Sequence, residues 1–123
     1  MGRQENLLKQ YSEGLKVLVE ELKENGNWNN TLILTFSEFG RRVKQNGSNG
    51  TDHGKANNVI LLGGGLKKAG IYNSMPDLSN LDNGDLKYQI DFRRIYSTIL
   101  SKWMNADSSK ILQGNYQPLG FLK

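Results

Sequence analysis

The sequence predicts an α/β fold in one domain, residues 1–123, with a parallel sheet covered by helices. Three observations predict it. An amphipathic helix over residues 5–24 leads into an apolar run at residues 31–36. A second apolar run follows at residues 59–62, and a long helical pattern begins at Asp91. Strands that are apolar throughout are typical of parallel sheets buried on both faces by helices.

The first helix is predicted by apolar residues that recur at steps of three or four positions. These residues are Leu8, Tyr11, Leu15, Leu18 and Leu22. The spacing places them on one face of the helix, which we expect to be buried. Gly14 lies inside the pattern and costs up to ~1 kcal/mol relative to Ala. Gly26, in the Asn-Gly-Asn sequence, ends the helix because glycine tolerates the left-handed conformation.

The two apolar runs are predicted to be strands, and each ends in a polar or glycine-rich segment. Residues 31–36 lead into Ser37-Glu38-Phe39-Gly40, and we expect a glycine-rich loop over residues 45–50. Residues 59–62 stop at three glycines, residues 63–65, which match neither common phosphate-loop motif. We interpret these glycines as a tight turn that lets two backbone segments approach closely.

The C-terminal half is predicted to contain a short edge strand at Ile71-Tyr72 and an irregular loop over residues 73–86. A loop of that length is often functional or docks on another surface. Asp91 is a typical N-cap for the helix that follows. The apolar positions of this helix are Phe92, Ile95, Tyr96, Ile99, Leu100 and Trp103. A short helical turn is expected over residues 108–112, before an extended tail.

Composition excludes several classes of protein. The net charge of +4 comes from Lys and Arg spread along the chain, which argues against a nucleic-acid partner. The chain has no cysteine, so disulfides and thiolate metal sites are excluded. No apolar run approaches the ~20 residues of a membrane span. The first residues lack the apolar segment of a signal peptide, and we expect the chain to be part of a longer protein.

Glu38, Asp52 and His53 are the candidate metal ligands. Glu38 follows a buried strand, and His53 is the only histidine in the chain. Carboxylates and imidazoles are standard ligands of divalent metals. Asp52 either completes the ligand set or orients the ring of His53. In the alternative interpretation, Glu38 pairs with a neighbouring arginine, Asp52 forms a turn and His53 only orders its own loop.

Two further candidates are weaker on spacing. Arg41 and Arg42 offer an anion-binding group beside Glu38, although adjacent arginines usually point to different sides. Ser37 and His53 suggest a nucleophile and its base, but Ser37 lacks the sequence of a nucleophile elbow. The catalytic residues therefore stay unassigned.

Four segments carry a resemblance to a known family: SEFGR, NGSNGTDHG, NVILLGGGLK and DFRRIYSTIL. They resemble the C-terminal part of an exported bacterial family of unknown function, domain family 1501. This family is similar to the alkaline phosphatase and sulfatase superfamily. The resemblance implies that the chain is a fragment of a doubly wound sheet with flanking helices, and that its partner is the N-terminal half of the parent domain.

The resemblance also implies a site and an activity. Glu38 and His53 would bind a divalent metal (zinc, manganese or calcium), with Asp52 beside them and Arg41 holding a phosphate or sulfate ester. Phe39 stands where the superfamily usually has a second ligand. The parent would be exported by a twin-arginine signal to the periplasm or beyond, and this chain alone would be inactive. The alternative is a non-catalytic relative that serves as a binding or assembly module. The faces that the missing half leaves exposed would favour a homo-oligomer of this chain.

Overall fold

The computed structural model describes residues 2–123 and contains both helices and short strands. The helices are α1 (Arg3–Glu24), α2 (Phe92–Thr98) and α3 (Ser108–Leu112), with a 3₁₀ turn at Trp28–Asn30 and a π-helical turn at Ile99–Trp103. The strands are β1 (Ile33–Thr35), β2 (Gly40–Gln45), β3 (Thr51–Gly54) and β4 (Ile60–Leu62). β1 pairs with β4, and β2 pairs with β3 in antiparallel fashion. The mixed helix-and-strand class is therefore confirmed.

The chain divides into two compact units. One unit holds α1, the 3₁₀ turn, the start of β1 and the segment Leu61–Gly65. The other unit holds Leu34–Ile60 and Leu66–Lys123, and thus the β2–β3 pair and the C-terminal helices. No helix among residues 2–123 is long and apolar enough to cross a membrane.

Helix α1 runs through Gly14 without a break, but none of its residues is buried. Leu8 is 58% exposed, and Tyr11 and Leu18 are each 42% exposed. The expectation of a buried apolar face is therefore wrong for this chain. The reason is a lack of covering surface, because the same unit offers only a 3₁₀ turn and two short segments besides α1.

The glycines that follow β4 allow two backbone segments to lie against each other. A Cβ atom on Gly63 would lie 2.5 Å from the carbonyl oxygen of Thr31. The amide of Gly64 donates a hydrogen bond to the carbonyl of Trp28, at 3.1 Å. A side chain at either glycine would block this approach, so the predicted tight turn is confirmed.

The C-terminal tail packs onto α2 in the second unit. Thr98 is fully buried, and its hydroxyl donates to the carbonyl of Arg94 and accepts from the amide of Leu119, both at 2.7 Å. Phe121 and Leu122 are the buried apolar residues of the described chain. The tail is therefore held by specific contacts at the end of the chain.

Three local predictions can be compared with this structure. Asp91 caps α2 as expected, since its side chain accepts from the amide of Arg93 at 2.9 Å. Ile71 and Tyr72 do not form a strand. Instead, the hydroxyl of Tyr72 accepts from the amide of Gly120, at 3.1 Å. The glycine-rich loop predicted over residues 45–50 is largely the turn of a hairpin, whose strands are β2 and β3.

Candidate functional site

The β2–β3 hairpin brings two of the predicted site residues opposite each other. Arg41 on β2 is the register partner of His53 on β3, and Gly40 is the partner of Gly54. The turn of the hairpin is organised by Asn46, whose side-chain oxygen accepts from the amides of Ser48 and Gly50, both at 3.1 Å. The side chain that orders this loop is therefore Asn46, a residue that the sequence did not single out.

Phe39, Arg41 and His53 form a contact cluster at the base of the hairpin. The rings of Phe39 and His53 stack with centroids 3.7 Å apart and planes 25° apart. The guanidinium carbon of Arg41 lies 5.5 Å from the centroid of the Phe39 ring, a cation–π contact. Arg41 also donates to the carbonyl of Thr51, at 2.8 Å. These contacts hold one cation and the imidazole close to the same ring.

The carboxylate of Asp52 is bound by Asn46, whose side-chain amide donates to it at 2.9 Å. No hydrogen bond within residues 2–123 joins Asp52 to the ring of His53. Both side chains still line one open depression. Its lining is Arg41, Arg42, Asn46, Thr51, Asp52, His53 and Asp85.

Glu38 is exposed in the segment between β1 and β2, and it does not line this depression. Neither neighbouring arginine pairs with it. Arg41 donates to Thr51, and Arg42 lies beside Asp85 instead, with 3.6 Å between Nε and Oδ1. Nowhere in the described chain do three or more His, Cys, Asp or Glu side chains form a group that could hold a metal ion.

A turn from the long loop, residues 82–85, docks on the hairpin. Asp85 accepts from the amide of Lys55 at 3.3 Å, and the carbonyl of Asn83 accepts from Arg42 at 2.8 Å. Lys55 and Asp82 form an exposed ion pair at 3.1 Å. The Asp-Asn-Gly-Asp sequence signals a tight turn. The residues on which this turn docks lie 30 and 41 positions earlier in the two hydrogen bonds above, so no local sequence pattern indicates the contact.

The depression combines a guanidinium, an imidazole and polar groups in an open setting. The carboxylates of Asp52 and Asp85 are each engaged, by Asn46 and by Arg42 with Lys55 respectively. Among residues 2–123, the guanidinium of Arg41 contacts a carbonyl and the Phe39 ring but no carboxylate. A small anion is therefore the ligand that this arrangement suits best.

The fold and the site define a small mixed helix-and-strand protein with a polar hairpin that carries a single histidine. Comparison with family models gives a match to a protein family of unknown function, DUF1501, over residues 1–116. The chain belongs to this family. Comparisons with curated proteins and with solved structures give no match.

Proposed function

We propose that the β2–β3 hairpin forms one side of an anion and metal site in an alkaline-phosphatase- or sulfatase-like domain. The observation that carries this proposal is the register of the hairpin, which pairs Arg41 with His53 at the edge of an open depression. In this proposal, the chain is the C-terminal portion of a doubly wound domain. The N-terminal half of the parent supplies the nucleophile and the other ligands.

The roles of the residues follow from their chemistry. His53 offers an imidazole nitrogen to a metal ion, and Glu38 is an exposed carboxylate with no partner among residues 2–123. Asp52 is a third donor once its bond to Asn46 opens. One imidazole with carboxylates suits zinc or manganese, whereas calcium prefers oxygen ligands alone. Among residues 2–123 these three donors do not form a group that could hold a metal ion, so the proposal requires further ligands from the parent.

Arg41 is the proposed substrate-binding residue. Its guanidinium can pair with two oxygens of a phosphate or sulfate ester, in a geometry that lysine does not reproduce. A bound divalent metal would activate a nucleophile and stabilise negative charge on the ester. The parent protein would work outside the cytoplasm, after export by a twin-arginine signal.

Calorimetric titration of zinc, manganese and calcium into the parent protein tests this proposal. We expect His53→Ala and Glu38→Ala each to weaken binding of the preferred metal by at least about tenfold, or ~1.4 kcal/mol. Glu24→Ala, which removes an exposed carboxylate from α1, is the matched control. Unchanged metal affinity in both site variants would contradict the assignment.

A second candidate function is a non-catalytic binding or assembly module. Two observations favour it: Phe39 stacks on the His53 ring, and three residues of the apolar stripe of α1, Leu8, Tyr11 and Leu18, are exposed. A stripe of this kind suits another protein surface, including a second copy of the chain. Screening of ester substrates with the metal-loaded parent separates the two functions. If the parent hydrolyses an ester and His53→Ala abolishes this turnover, the module function is ruled out. Metal binding without turnover would support the module function.

A further inference from the structure

We propose that Asp85 is a positioning residue for the hairpin site. One of its carboxylate oxygens contacts both β2 and the residue that follows β3. This inference rests on the proposed function of the hairpin as an anion site. In this proposal, residues 82–85 at the end of the long loop position the hairpin.

The first observation is the burial of Asp85. It is only 5% exposed, and it is the one ionisable residue that is buried among residues 2–123. Its Oδ1 atom accepts from the amide of Lys55 at 3.3 Å and lies 3.6 Å from Nε of Arg42. Lys55 follows His53 by two positions, and Arg42 follows Arg41 directly. A single oxygen therefore joins the end of β3 to β2.

The second observation is the close approach of the backbone beside His53. Gly54 packs so tightly that a Cβ atom there would lie 2.9 Å from Oδ1 of Asp85. The same Cβ would lie 2.8 Å from the carbonyl carbon of Arg41. Glycine at this position lets the carboxylate touch the strand directly, so the position of Asp85 limits where His53 can lie.

The third observation is that the turn itself is well defined. Asp82 and Asp85 exchange two backbone hydrogen bonds, at 2.8 and 2.9 Å. Asn83 and Gly84 between them have φ values of 50° and 87°, in the left-handed region that Asn and Gly tolerate best. The carbonyl of Asn83 accepts from Arg42, so the turn contacts β2 at two points.

Burying a carboxylate is costly, and a buried ion pair adds little net stability. The buried carboxylate of Asp85 is better explained by the positions in which it fixes Lys55 and Arg42. Removal of Asp85 would free the end of β3 and the side chain of Arg42. His53 and Arg41 would then lose their fixed relation, and anion binding would weaken.

The test uses NMR spectra of the 123-residue chain, in which His53 is the only histidine and gives a single pair of ring signals. Stacking on Phe39 shifts these signals upfield. We expect Asp85→Ala to move them toward the positions of a free histidine. We also expect it to weaken binding of inorganic phosphate about tenfold. Asp85→Asn keeps an acceptor for Lys55 but loses the charge beside Arg42, so an intermediate effect is expected.

Asp82→Asn is the matched control, because it removes a charge from the same turn, at the exposed pair with Lys55, and leaves Asp85 in place. A general loss of stability would move signals throughout the chain and would not select the His53 ring. If Asp85→Ala does not fold, the His53 ring signals and the phosphate affinity of Asp85→Asn test the proposal instead. Wild-type ring signals and wild-type phosphate affinity in the folded variant would overturn the proposal. If the wild-type chain binds no phosphate by itself but the ring signals move as expected, the positioning role stands, and titration of phosphate into the parent protein decides whether the anion site exists.

Discussion

Phe39 and His53 stack face to face, with ring centroids 3.7 Å apart and ring planes 25° apart. Phe39 precedes β2, and His53 lies on β3, so the hairpin register creates this contact. In the alkaline-phosphatase-like superfamily that we propose for the parent, a metal-binding histidine would occupy the position of Phe39. The stack thus marks the place where a second imidazole would stand close to the first.

Phe39→His is therefore predicted to raise the affinity of the chain for zinc. Two imidazoles at adjoining positions, with Glu38 nearby in sequence, provide three of the donors that zinc prefers. We expect the dissociation constant for zinc to fall by about tenfold or more. Calorimetric titration of zinc into the wild-type and variant chains measures the change.

Phe39→Leu is the control for loss of the aromatic ring without a new ligand. It should remove the stacking shift of the His53 signals and leave zinc affinity low. Equal zinc affinity in the Phe39→His and Phe39→Leu chains would show that position 39 does not face a metal site.

Gly40→Ala is predicted to destabilise the hairpin. Gly40 is buried, and a Cβ atom there would overlap the carbonyl oxygen of Ala56. Overpacking of this kind costs about 1–3 kcal/mol, and a backbone atom cannot move aside as a side chain can. Urea unfolding of the variant measures the cost. Gly47→Ala in the hairpin turn meets nothing within 4 Å and should leave the unfolding free energy nearly unchanged.

Elements with a local pattern could be predicted from the sequence. The spacing of apolar residues in α1, the apolar run of β4 and the capping residue Asp91 can each be recognised from a short stretch of sequence. The extent of burial could not be predicted in this way. It depends on what covers an element, and α1 has its predicted stripe with little to cover it.

The hairpin shows why part of the site could not be predicted. β2 reads Gly-Arg-Arg-Val-Lys-Gln, which has too few apolar residues for a strand signal, and its pairing with β3 depends on backbone hydrogen bonds. Arg41, Asp52 and His53 do line one depression, as their proximity in sequence suggests. Asp85 could not be found, because a contact over about thirty positions leaves no periodic trace.

Thr98→Val is predicted to release the C-terminal tail. The buried hydroxyl of Thr98 is the acceptor for the amide of Leu119, at 2.7 Å, and valine keeps the shape but not the oxygen. An amide that loses its partner in a buried setting costs about 1–3 kcal/mol. Hydrogen exchange at Leu119 should accelerate accordingly. Ser101→Ala is the control, since the Ser101 hydroxyl only donates to the carbonyl of Ser97 and its loss leaves no amide unpaired. Unchanged exchange at Leu119 would show that the tail is held elsewhere.

Asp91 is predicted to make the stability of the second unit depend on pH. Hydrogen bonds from the Arg93 side chain and amide lower the pKa of the Asp91 carboxyl below its ordinary value, and burial opposes them only in part. The stabilisation is therefore complete above the unfolded pKa of about 3.9 and is lost as the pH falls through the lower folded pKa.

Asp91→Asn tests this dependence, because asparagine caps a helix about as well as aspartate but carries no charge. We expect the variant to unfold at a lower urea concentration than wild type at pH 7. The difference should shrink below pH ~4 and vanish once the wild-type carboxyl is protonated. Glu24→Gln on α1 removes a charge of the same sign from an exposed site and controls for net charge. A difference between wild type and Asp91→Asn that stays constant from pH 7 down to full protonation would mean that the lost charge is not responsible. The effect would then belong to the shape of the cap alone.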